Sequence, residues 1–218
     1  MRRMTFWRTT VGKKVVMAVT GVVMIVFLFG HLAGNLLVFR GAVQLDEYSA
    51  LLHFEPPALW AARAILLVAV ILHIIAACQL ALSDRTARRE AYIRVDPQAA
   101  TFASRTMRIG GIIIAAFIVF HLLHLTTGTI RPAPFHESLV YSNLVGGFQI
   151  WWIVAIYVVA LAAIGIHLYH GAWSWARTLG LSRPSAEPLH RPIAIVIAVV
   201  LWAGFTAIPL AIFFGLVR

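Results

Sequence analysis

VVMAVTGVVMIVFLFGHLAGNLLVF, Val15–Phe39, is an apolar run with a single ionisable side chain, His31. A helix crosses a bilayer in about 20 residues, so this run is long enough to span. It exceeds the apolar core of a signal peptide, about 7–15 residues, and no small-x-small site closes it. It is therefore expected to stay in the protein as a membrane helix. Within it His31 lies between Gly30 and Gly34. A polar ring in hydrocarbon costs free energy, so something must compensate it.

Four further runs of spanning length follow, and the five expected spans are 15–39, 58–82, 108–129, 149–176 and 193–216. Turn-forming residues separate them: Pro56 and Pro57, Asp96 and Pro97, Pro132 and Pro134, Pro184 and Pro188. No connecting segment is long enough for a second globular domain. The fold class is all-α, an integral membrane bundle of five transmembrane helices forming one domain over 1–218. Composition agrees, with 61% hydrophobic and 12% charged residues. A soluble domain carries about 25% charged residues.

The net charge of +10 is arranged for a membrane rather than for nucleic acid. Arg2, Arg3, Arg8, Lys13 and Lys14 precede the first span. Arg85, Arg88, Arg89, Arg94, Arg105 and Arg108 lie between spans two and three, and Arg177, Arg183 and Arg191 between spans four and five. With five spans these three segments share one side and hold 14 of the 18 basic residues. Basic segments stay cytoplasmic, which puts the N-terminus inside and the C-terminus outside. Such loops suit anionic lipid or an acidic partner subunit. The lone cysteine, Cys78, excludes an intrachain disulfide and a four-thiolate iron–sulfur cluster, and reads as a small core residue.

Six of nine histidines fall in the first four spans: His31, His73, His121, His124, His167 and His170. All eight acidic residues lie outside the spans or at their edges. At about 1.5 Å per residue, His31 and His121 both lie roughly 12 Å below the outer membrane face. By the same measure His73 and His167 lie about 13 Å from the cytoplasmic face. Two levels, each served by two helices, match the requirement of two stacked haems, each held by two imidazoles. Gly30, Gly34, Gly165 and Gly171 near these rings read as room for the flat macrocycle. The alternative for Gly30 and Gly34 is close helix packing. His121/His124 and His167/His170 are spaced i, i+3, so either member of each pair can be the ligand.

GHLAGNLLVF, LHIIAAC, FHLLHL and IHLYHGAWSW resemble the dihaem cytochrome b anchor subunit of succinate:quinone oxidoreductase, and the similarity runs over all five spans. The resemblance implies a prokaryotic cell-membrane subunit whose first four helices enclose two haem b groups. His31 and His121 would then ligate the distal iron, and His73 and His167 the proximal one. It implies flavoprotein and iron–sulfur partner subunits on the cytoplasmic side and a quinone substrate, menaquinone by the same analogy. This chain lacks a dinucleotide fingerprint and would pass electrons without oxidising succinate itself. Fumarate reduction shares this architecture. Hydrogenase-type or formate dehydrogenase-type dihaem subunits and a histidine-containing transporter are the competing classes. One departure is the absence of a carboxylate deep in a span. Glu55 reads as a solvated loop charge, and Arg63, about 8 Å inside span two, as either a haem-propionate partner or a side chain reaching the headgroups.

Overall fold

The computed structural model describes residues 6–87, 102–131, 133–181 and 187–218. Arg2, Arg3, Arg88, Arg89, Arg94, Asp96, Pro97, Pro132, Arg183 and Pro184 lie outside them. The described residues are helical with no strand: α1 (Thr10–Asn35), α2 (Ala42–Phe54), α3 (Pro56–Ala87), α4 (Phe102–His121), α5 (Val140–Phe148), α6 (Trp151–Thr178) and α7 (Glu187–Phe213). Helices α1, α3, α4, α6 and α7 are long and apolar enough to cross a membrane, over Thr10–Arg40, Pro56–Asp84, Arg105–Thr126, Trp151–Thr178 and Leu189–Phe213. The expected spans are recovered with ends displaced by a few residues.

Local chemistry accounts for the element boundaries. The Thr9 hydroxyl accepts a bond from the Gly12 amide at 2.9 Å and caps α1. After a 3₁₀ turn, Leu36–Arg40, Gly41 takes φ 104° and lets the chain reverse into α2. Only Glu55 separates α2 from α3, because Pro56 cannot extend a helix but starts one readily. Glu55 is exposed there, as expected for a solvated charge.

The short helices α2 and α5 were not anticipated from sequence. They cover one end of the bundle and pin each other, since Asp46 Oδ1 accepts the Tyr141 amide at 2.9 Å, in the first turn of α5. Val38, Leu45, Leu144, Phe148, Ile153, Tyr157 and Ile212 form the larger buried cluster at that end. A second cluster joins Leu32, Leu168, Ala198 and Leu201, where Leu32 lies over Gly204 of α7.

Contacts set the helix directions. His73, midway along α3, meets Met17 and Thr20 in the first half of α1, and the short α2 joins their other ends, so these two run antiparallel. His121, at the end of α4, meets Tyr157 near the start of α6, so this pair is antiparallel too. The ends of α3 and α4 that approach each other carry an ion pair, Arg108 to Asp84 at 3.7 Å. Both side chains are more than half exposed, and such pairs contribute little.

Candidate functional site

Four histidines of the long apolar helices meet in two pairs. His73 and His167 have ring centroids 6.2 Å apart, and His31 and His121 6.0 Å apart. The ladder of contacts fixes the separation of levels twice. Thr20 and His31 are 11 residues apart on α1, and Tyr157 and His167 are 10 apart on α6. Both spacings give about 15–17 Å along the helix.

At the inner level, His73 Nδ1 lies 3.1 Å from the Met17 carbonyl and 3.1 Å from the Thr20 hydroxyl. A carbonyl only accepts, so Nδ1 carries the proton and Nε2 keeps its lone pair. The Thr20 hydroxyl spends its own proton on the Val16 carbonyl at 2.7 Å, and its oxygen is free to accept from His73. Opposite, His167 Nδ1 is buried without a hydrogen-bond partner among the described residues. A cavity of about 220 Å³ between α4 and α6 ends on His167 and is lined by Ile109, Gly110, Ile113, Ala163 and Ile166. It is apolar apart from His167 and Thr106, the kind of surface a flat hydrophobic ligand requires.

His170 stands beside Trp173, with ring centroids 6.1 Å apart. The Arg177 and Arg191 guanidinium carbons lie 4.7 and 5.0 Å from the centroid of the Trp173 ring. Two cations on one indole mark the end of α6 that carries basic residues.

At the outer level α4 changes geometry. Leu122–Thr126 form a π-helical turn, closed by the Thr127 amide on the Leu122 carbonyl at 2.9 Å. Single π turns occur preferentially at functional sites. This one begins directly after His121 and contains His124, and both rings reach one hydroxyl. Tyr157 Oη lies 3.2 Å from His121 Nδ1 and 3.0 Å from His124 Nδ1. His31 makes a different contact: the Asn35 amide donates to its carbonyl at 2.7 Å and approaches its Nδ1 at 3.3 Å. The fifth span contributes here, since Phe205 of α7 stands 5.7 Å from the His31 ring.

The glycines divide. A methyl added at Gly30 or Gly171 meets no atom within 4 Å, in line with room beside the helix. Gly34 instead lies under the Tyr48 ring and Gly165 under Trp202, so these two are packing glycines. Gly110 and Gly111 on α4 face open space and were missed, as were Thr20, Asn35, Gly147 and Tyr157. The one sequence signal for Tyr157 is its place three turns before His167, on the outer level. Cys78 is exposed rather than in the core, because its face of α3 is turned away from the other helices. Arg63 is exposed too, with its guanidinium 5.0 Å from the centroid of the Trp60 ring.

Each level thus holds two imidazoles about 6 Å apart, edge-on at His31–His121 and tilted at His73–His167. Among the described residues no group of three or more histidine, cysteine, aspartate or glutamate side chains gathers for a metal ion. No protein-family model, curated protein or solved structure matches this chain.

Proposed function

We propose that this chain is the dihaem cytochrome b membrane anchor of a succinate:quinone oxidoreductase, with His73 and His167 holding an inner haem and His31 and His121 an outer one. The paired imidazoles at two depths carry the reading. Two imidazoles bound through nitrogen to one metal atom would have ring centroids about 6 Å apart. The distances of 6.2 and 6.0 Å match that span. A structural zinc site takes about four protein ligands, whereas haem would need only the two imidazoles that each level offers. The apolar cavity ending on His167 supports the same reading.

Haem supplies reversible one-electron storage when bound. The protein supports it through its own groups. The Met17 carbonyl fixes the His73 tautomer and strengthens Nε2 as a donor. At His31 the Asn35 amide points a donor at Nδ1, so ligation through Nε2 requires that amide to turn away. The basic segments face the flavoprotein and iron–sulfur partner subunits, the inner level lies nearer to them, and a quinone, menaquinone by resemblance, is the electron acceptor. Fumarate reduction runs the same route backwards.

The deciding measurement is haem content of the purified full chain. Pyridine haemochrome should give two non-covalent b haems per chain, with a sharp alpha band on reduction. One haem per chain would sink the two-level assignment, and none would sink the cytochrome reading. Mass spectrometry of co-purifying subunits then distinguishes a succinate dehydrogenase from other dihaem assemblies.

A further inference from the structure

The His121–Tyr157–His124 cluster is more specific than a general ligand pair requires. Tyr157 is 5% and His124 4% exposed, so the Tyr157 hydroxyl and the two Nδ1 atoms beside it must satisfy one another. Phe117, Phe120 and Phe148 surround the tyrosine ring at centroid distances of 4.9, 6.1 and 4.7 Å and keep it dry. A phenol has one proton to give, and both neighbours offer Nδ1. All three groups are satisfied only when one imidazole donates to the hydroxyl and the other accepts from it.

Two arrangements meet that condition, and the surroundings choose between them. If His124 donates through Nδ1, its lone pair lies on Nε2 and His124 becomes the ligand. That nitrogen faces the Gly147 backbone so closely that a Cβ there would stand 2.8 Å from it, leaving no place for a metal and macrocycle. His121 instead looks across the bundle at His31. We infer that Tyr157 is a positioning residue that accepts from His121 Nδ1–H and donates to His124 Nδ1, holding His121 in the tautomer whose Nε2 ligates the outer iron. This rests on the dihaem reading and settles which member of the i, i+3 pair serves it.

The chain has an electronic consequence. A hydrogen bond from Nδ1–H gives the ring anionic character and makes it a stronger donor to oxidised iron. The Tyr157 oxygen accepts better while its own proton is shared with His124, because linked hydrogen bonds polarise one another. Removing either partner should raise the outer midpoint potential, with the larger rise for loss of the tyrosine hydroxyl.

The test is a redox titration of the full chain in detergent, comparing parent, Tyr157→Phe and His124→Leu, with haem content determined for each. Expected are two haems throughout, an upward shift of the outer midpoint in both variants, larger in Tyr157→Phe, and an unchanged inner midpoint. Parental potentials in both variants overturn the inference, as does loss of the outer haem in His124→Leu alone, which would make His124 the ligand. If Tyr157→Phe fails to hold the outer haem, His124→Leu decides, and an upward shift there supports the chain while no shift overturns it. Parent protein without haem overturns the dihaem reading itself, before either variant is compared.

Discussion

At the scale of single residues, the two levels make separable predictions. His73→Ala or His167→Ala should remove one haem of the two, the inner one, and leave the outer alpha band in place. His31→Ala or His121→Ala should do the converse. Low-temperature difference spectra of the four variants check this, and a variant that lost both bands together would show the levels to be one site. Gly147→Ala tests the packing around His124. The added methyl would lie 2.8 Å from His124 Nε2, on a buried ring that Tyr157 holds in place. Overpacking of this kind costs about 1–3 kcal/mol. The variant should melt at lower temperature in detergent while its inner haem spectrum stays parental. Gly171→Ala, which meets nothing within 4 Å, is the matched control and should melt like the parent.

At the scale of elements, the groove between α4 and α6 carries its own prediction. Gly110 lines the cavity beside His167 and has open space where a side chain would go. Gly110→Phe should fill that space and lower occupancy of the inner haem, while Gly110→Ala should leave it nearly unchanged. Haem content per chain is the readout, and full occupancy in Gly110→Phe would remove this groove from the site. Much of the arrangement was legible in the sequence because lipid imposes simple rules. Apolar runs gave the five spans, and a fixed rise per residue placed His31 level with His121 and His73 with His167. What failed depends on rotation about each helix axis, which length and hydropathy do not record. Cys78 reads as core until its face of α3 is seen, and Gly34 and Gly165 read as cofactor room until Tyr48 and Trp202 cover them. Arg63 is the same case. Its stack on Trp60 at an exposed position favours a side chain reaching the headgroups over a propionate partner. The π turn after His121 and helices α2 and α5 leave no hydropathy signal of spanning length, so they appear only in three dimensions.

At the scale of the whole molecule, the spans leave most of their apolar surface uncovered by other parts of the chain. In water that surface would drive aggregation, but in a bilayer lipid covers it, and the helices need only small residues and a few polar contacts to associate. The packed clusters accordingly lie at the α2–α5 end and along α7, where Leu32 meets Gly204. Orientation is decided by charge. An odd number of crossings puts the two ends of the chain on opposite sides, and 14 of the 18 basic residues belong to the N-terminal side. Translocating a short segment rich in arginine is disfavoured, so that side should remain cytoplasmic. On that orientation the His73–His167 level lies toward the cytoplasm, and α2 and α5 lie toward the outside. A reporter enzyme active only outside the cytoplasm, fused after Arg218, should be active, and the same reporter inserted between residues 88 and 101 should be inactive. The reverse pattern would invert the protein in the membrane and place the His31–His121 level, rather than His73–His167, toward the cytoplasm.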